Sequence, residues 1–167
     1  MSKGDAADLW RGRPIGVALG GPAALGKSGL EILQAMAMGE LPNPSICRAL
    51  NFWLSQASTG NAVFQGEPNA DALNPAGAVH GGWALTVIDS ACGCACLSVL
   101  APGVGYTTIE TKANLTRPIR AASGLYRCEA RVLAHGRTII TTDSELTGPD
   151  GKLYAHGTST LMVLKAD

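Results

Sequence analysis

The sequence predicts an α+β domain in which an antiparallel sheet wraps one long central helix. Two observations carry this. Across 83–102 the chain is apolar on every side apart from Asp89 and a few hydroxyls and thiols, and a helix of that kind must be enclosed by protein. Further on, Tyr126, Cys128, Ala130 and Val132 alternate with Arg127, Glu129 and Arg131, the period of a half-buried antiparallel strand. A sheet that curls around the helix is the economical way to cover all its sides. The chain has 167 residues, enough for one domain with a real core and an appended arm.

Residues 1–28 are rich in Gly, Ala and Pro and predict an irregular N-terminal arm; the folded domain is expected from 29 to 167. Leu30, Ile32, Leu33 and Met36 have helical spacing, and Gly39, Pro42 and Pro44 end this leader helix, placed within 29–44. Segments 51–58 and 61–66, split by Gly60, predict a hairpin, and 68–79 a loop. The apolar helix runs over about 82–100 until Pro102-Gly103 stops it. The next strand, 106–116, sets Thr107, Ile109, Thr111, Ala113 and Leu115 on one face, with Thr108, Glu110, Lys112 and Asn114 on the other. His135-Gly136 turns into a strand over 137–147, and Gly148-Pro149-Asp150-Gly151 leads through a hairpin into 152–164. The expected sheet is a meander of four strands preceded by a hairpin.

Charge and cysteine usage exclude several functions. Lys+Arg and Asp+Glu are both 13, so no global field draws the chain to nucleic acid or an anionic membrane. Residues 1–12 are polar and charged, without a signal-peptide apolar region. The 83–102 window has the length of a membrane span, but it holds Asp89, Thr86, Ser90 and Ser98 and lacks a basic flank. Five cysteines form no Cys-x-x-Cys pair, and Cys92, Cys94 and Cys96, spaced by two, scatter around a helix without converging on a metal. They read as small apolar residues that permit close packing, in a chain suited to a reducing cytosol.

Residues 21–28, Gly-Pro-Ala-Ala-Leu-Gly-Lys-Ser, match the phosphate-binding pattern G-x-x-x-x-G-K-[ST] literally. There, backbone N–H groups would cradle phosphates, with Lys27 and Ser28 serving phosphate and Mg²⁺. That chemistry requires a parallel sheet of βαβ units and an acidic strand end for the metal. The hairpins after residue 45 argue against nucleotide hydrolysis, which stays as a lesser alternative.

Asp89 is the strongest chemical signal. A carboxylate alone in an apolar helix costs several kcal/mol if buried unpaired, or acquires a raised pKa. Asn74, His80, Gly81 and Gly82 lead into the same helix. Glycines at a helix start leave N–H groups and the positive dipole end open to a developing negative charge. Asn74 could donate to the same oxygen or simply shape the turn before Pro75. Asp89 itself could instead be a structural acid satisfied by Ser or Thr hydroxyls.

The run Asn74-Pro-Ala-Gly-Ala-Val-His80-Gly81-Gly82, with Asp89 seven residues into the helix, resembles the signature of PaaI-type hotdog-fold acyl-CoA thioesterases. Thr108-Ile109-Glu110, Arg117-Pro118, His135-Gly136-Arg137 and Gly151-Lys152-Leu153-Tyr154-Ala155 support it, and the resemblance covers about residue 29 to the C-terminus. It implies the hotdog fold and hydrolysis of an acyl-CoA to carboxylate and free coenzyme A. Coenzyme A enters as part of the substrate, and neither metal nor separate cofactor is implied. Asp89 would be general base or nucleophile, Gly81 and Gly82 would polarise the carbonyl, Asn74 and His80 would position substrate, and Thr108 would help to hold the water. Arg117, Arg120 and Arg137 are candidates for the coenzyme A phosphates, though each equally suits a solvated surface. The resemblance further implies a homodimer, or a tetramer of paired dimers, with each site shared across the dimer interface. Asp89 lies about 10 Å along the helix from Gly82 at 1.5 Å per residue, too far for both to reach one carbonyl in the same chain.

The rival readings are a hotdog module that binds acyl-CoA or acyl carrier protein without turnover, and an enoyl-CoA hydratase. The hydratases pair their acid with a histidine five residues on, where this chain has Cys94. Trp83 and the small residues near Asp89 are candidates for shaping an acyl pocket.

Overall fold

The computed structural model describes residues 12–164. Helix α1 is Gly29–Met38, α2 is Ser45–Ala49 and α3 is Gly81–Leu97. The strands are β1 (Phe52–Ser58), β2 (Asn61–Gly66), β3 (Gly105–Leu115), β4 (Tyr126–His135), β5 (Ile139–Thr147) and β6 (Leu153–Leu164). They form one antiparallel sheet in the order β1-β2-β4-β5-β6-β3. The α+β architecture is the hotdog arrangement, with α3 lying against all six strands.

The leader helix covers its apolar run and stops at Gly39. Ser28 and Glu31 form a reciprocal capping box, which fixes its start, and Gly39 in the left-handed region ends it. Beyond it, Ser45–Ala49, to which the sequence reading assigned no element, form the short helix α2.

The long helix starts at Gly81 and ends at Leu97, three residues before the expected stop. Ser98 ends it: its hydroxyl donates to Ala95 O (2.7 Å) and accepts from Gly60 N (2.8 Å). Val99 and Leu100 then bond back three residues, tightening the last turn. Ala84, Val87, Ile88, Ala91, Cys92, Ala95 and Cys96 are fully enclosed and meet Phe52, Leu54, Phe64, Cys128, Ile140, Leu146 and Leu161 from the sheet in one core.

Two expectations about the sheet are corrected. The strands are not a sequential meander: β3 pairs with β6, and β4 lies between β2 and β5. Alternation fixes which face of a strand is buried but not which strand is its neighbour. The second correction concerns β3 itself. Thr108 pairs with Leu161 but Glu110 with Thr160, so Ile109 is an extra residue in a bulge. A bulge inverts the facing of everything beyond it. Thr108 and Thr111, expected on opposite faces, therefore both turn toward α3.

The five cysteines are free, and all but Cys94 are buried. Burial pushes the Cys47 thiol up to about 12 and Cys96 to about 11. Protonated thiols enclosed this way act as small apolar groups.

Candidate active site

The loop before α3 is built by Asn74. Its side-chain oxygen accepts from Ala76 N (2.9 Å) and Ala78 N (3.1 Å), while its backbone pairs with Ala78 and Gly77. Asn74 is thus a turn residue, as one of the two readings had it. Its Nδ2 makes no hydrogen bond among the described residues.

His80 is the N-cap of α3, its Nδ1 accepting from Gly82 N at 2.8 Å. The imidazole proton therefore sits on Nε2. Glycine at 82 is a steric requirement of this cap, because a Cβ there would fall 2.9 Å from His80 Nδ1. The cap also separates the roles of two glycines that the sequence treated alike. Gly82 has its N–H occupied by His80, whereas Gly81 keeps a free N–H among the described residues, at the positive end of the helix. Gly81 packs beside the Leu115 side chain at the far end of β3.

Two turns along α3, Asp89 reaches the opposite end of β3. Its Oδ1 accepts from Thr111 Oγ1 at 2.7 Å and from Thr108 Oγ1 at 3.2 Å. Thr111 Oγ1 also lies 2.9 Å from Ser159 Oγ on β6, which reaches the Glu110 carbonyl at 2.9 Å. The carboxylate is half-buried, and its Oδ2 makes no hydrogen bond among the described residues. One oxygen is held and the other has no bond among the described residues. Thr111 and Ser159 were missed by the sequence reading. Ser159 was visible as a polar residue among Gly157 and Leu161 on the inward face of β6, but the bulge hid that Thr111 shares a face with Thr108.

Tyr106 stands beside this group. Burial, and to a lesser degree Cys94, Cys96 and Asp89, push its phenol well above its ordinary value, so it stays neutral. Trp83 has a different place from the one expected. It is buried in the core, donates from Nε1 to Leu50 O (2.7 Å) and stacks edge-on against Tyr126 (5.8 Å between centroids).

The three arginines do not cluster within one chain. Arg117 and Arg120 share the β3–β4 connection, where Arg117 Nη1 donates to Leu153 O (2.6 Å) and the Arg120 backbone N–H to Tyr126 Oη (3.3 Å). Arg137 lies in the β4–β5 turn, at the other end of β4, about 30 Å away at 3.3 Å per residue. All three are exposed.

Residues 21–28 form no phosphate cradle. The N–H groups of Ala24, Leu25 and Lys27 bond back to carbonyls of the same loop, and Lys27 Nζ donates to Ala23 O at 2.8 Å. Ser28 is committed to the α1 cap. No group of three or more His, Cys, Asp or Glu side chains is placed to hold a metal among the described residues. Nor is any described helix long and apolar enough to cross a membrane.

Comparison with known proteins agrees with this geometry. The family model of the thioesterase superfamily matches residues 76–155, which run from the Asn74 turn through α3 to the start of β6. A provisionally named esterase of Saccharolobus solfataricus is 30% identical over 106 residues, covering 64% of this chain and 74% of the relative. A solved phenylacetic acid degradation-related protein of Ralstonia eutropha JMP134 superposes with a TM-score of 0.70 at 29% identity, over 78% of this chain and 98% of that one. The PaaI protein of Escherichia coli superposes with a TM-score of 0.71 at 22% identity, over 83% and 98%, which bears on the fold alone. With Asp89 held at mid-helix and the Gly81 N–H open at its start, the chain belongs to the thioesterase superfamily, as a hotdog-fold thioester hydrolase.

Proposed function

We propose that this protein hydrolyses an acyl-CoA thioester, with Asp89 as the catalytic carboxylate and the Gly81 N–H as the group that polarises the carbonyl. The observation that carries the reading is the geometry of Asp89, with one oxygen fixed by Thr111 and Thr108 and the other free. As general base, Oδ2 takes a proton from water while the water oxygen attacks the thioester carbon. The alternative is direct attack by Oδ2, giving an acyl-enzyme anhydride that water then cleaves. In either case the carbonyl oxygen gains negative charge and needs a preorganised donor. Collapse of the tetrahedral species expels the coenzyme A thiolate, which takes up a proton; the carboxylate product is left at once on the first route and after water cleaves the anhydride on the second. Asn74 Nδ2 is a second donor for the same oxygen, and His80 acts by shaping the helix start. Thr108, with the longer bond to Asp89, is free to share its hydroxyl with the attacking water.

The donor and the carboxylate that serve one substrate come from two copies of the chain in this reading. β3 ends the sheet with an unpaired edge in the described chain, and Ile109 and Leu115 there are 56% and 51% exposed. An apolar edge of this kind invites pairing. Pairing two β3 edges antiparallel about Thr111–Lys112 sets Leu115 of one copy beside Thr108 of the other. Gly81, packed on Leu115, then approaches Asp89, bonded to Thr108. The same pairing carries Arg117 of one copy toward the strand end where the other holds Arg137, which supports a shared coenzyme A phosphate site.

The test is turnover of a panel of short, long and aromatic acyl-CoAs by wild type and Asp89→Asn. Wild type should hydrolyse at least one, and Asp89→Asn should lose about a thousandfold in kcat, within the range for a removed acid–base group. A fully inert wild type rejects the activity, and a near-normal Asp89→Asn rejects the mechanism.

A further inference from the structure

We propose that the N-terminal arm is one wall of the acyl-binding pocket, and that this pocket takes aliphatic acyl chains. The inference rests on the thioesterase reading above and names its substrate class.

The arm is tied firmly to the domain. Gly16 N donates to Asn43 O and Asn43 N to Pro14 O, both at 2.9 Å, and the Arg13 guanidinium reaches Ala37 O. Where the arm enters α1, Gly29 meets the end of α3, with its N–H on Leu100 O at 3.2 Å. A Cβ at position 29 would lie 1.9 Å from Leu97 O, so only glycine permits the approach. Between the arm and the start of β3 lies a cavity of about 580 Å³, within the roughly 300–1,000 Å³ range of small-molecule sites. Ala24 and Leu25 line it from the arm, Ile32 from α1, and Val104, Tyr106 and Thr108 from the domain.

Three observations identify the occupant. Thr108 lines this cavity and also donates to Asp89 Oδ1, so the cavity opens onto the reacting carbon. Its lining is mostly apolar, with Leu19, Ala24, Leu25, Ile32, Leu97 and Val104, and the one charged side chain among the described lining residues, Lys27, donates to Ala23 O. Leu25 is 77% exposed at the cavity, an apolar side chain that gains by being covered. An aliphatic chain meets all three conditions, and the phosphates of coenzyme A do not. The segment that imitates a nucleotide-binding loop is, in this account, a small-residue wall folded to leave room for a lipid-like chain.

The experiment is calorimetric titration of the full-length protein with S-methyl-, S-hexyl- and S-decyl-coenzyme A, non-hydrolysable thioethers, using wild type, Leu25→Asp and Ala24→Trp. Wild-type affinity should rise by about three- to fourfold per methylene until the cavity fills. Leu25→Asp, at an exposed position that leaves the core intact, should lose about tenfold in affinity for the decyl ligand with the methyl ligand unchanged. Ala24→Trp should do the same by occupying the space. A wild-type affinity independent of chain length overturns the proposal, as does a slope unaltered in Leu25→Asp. Equal weakening of the methyl and decyl ligands also overturns it, because the arm would then hold the coenzyme A portion. Binding needs no turnover, so an enzyme that failed to hydrolyse acyl-CoA would refute the catalytic reading while the chain-length slope still judged the pocket.

Discussion

The start of α3 and its middle are furnished in different ways. At the start, the side-chain hydrogen bonds that shape the loop and the cap are made within a few residues: Asn74 to Ala76 and Ala78, His80 to Gly82. At the middle, Asp89 is held by Thr108 and Thr111, and through Thr111 it reaches Ser159, with sequence separations from 19 to 48 residues. The first region depends on local turn chemistry and needs little from the rest of the fold. The second exists only once β3 has found its place beyond β6 with its bulge in register. A carboxylate mounted this way is fixed by the sheet, and any change in the β3 register would misplace it.

Substitutions at the two regions should separate them. After Asp89→Asn, the largest effect is expected from Gly81→Pro. Proline suits the first position of a helix, and His80 already has the extended backbone that proline demands of its predecessor. The change therefore removes the free N–H with the helix retained, and kcat should fall by about a hundred- to a thousandfold. Mixing Gly81→Pro with Asp89→Asn sharpens the comparison. If donor and acid come from different copies, refolding a one-to-one mixture makes half of the dimers mixed. Each mixed dimer has one intact site, so activity should return to about a quarter of wild type. A site contained within one chain would show no recovery.

Next in size are the hydroxyls that hold Asp89. Thr111→Val should lower kcat about ten- to a hundredfold, the range for a hydrogen bond to a charged group, and Thr111→Ser should restore most of it. Thr108→Val, at the longer bond, should cost less unless Thr108 also holds the attacking water. A larger loss at 108 than at 111 would assign it that role. The smallest change belongs to the helix start. His80→Ala removes a cap worth about 1 kcal/mol and should lower Tm by about 2–4 °C. Gly82→Ala should behave similarly, because its Cβ would collide with the capping nitrogen. A drop in kcat well beyond that in stability would instead give the imidazole a direct part in the reaction.

Read alone, the chain already determined the enclosed helix, the hairpin of β1 and β2, the alternation in β4 and the run of polar and glycine residues ahead of Asp89. These are written in short-range periodicity and turn chemistry, which act over a few residues whatever the rest of the chain does. It could not separate Gly81 from Gly82, because the two differ only in which N–H the imidazole claims. Nor could it pair Thr111 with Asp89. Strict alternation set Thr111 and Thr108 on opposite faces, and the bulge at Ile109 that brings both to Asp89 arises from pairing with β6. Trp83 went from candidate pocket residue to core for the same kind of reason, since its partners Leu50 and Tyr126 are distant in the chain. Strand order, register and the seat of the arm against α3 come from contacts between distant residues, and no local pattern encodes them. The tertiary structure alone decided how Asp89 is held and what lies beside it.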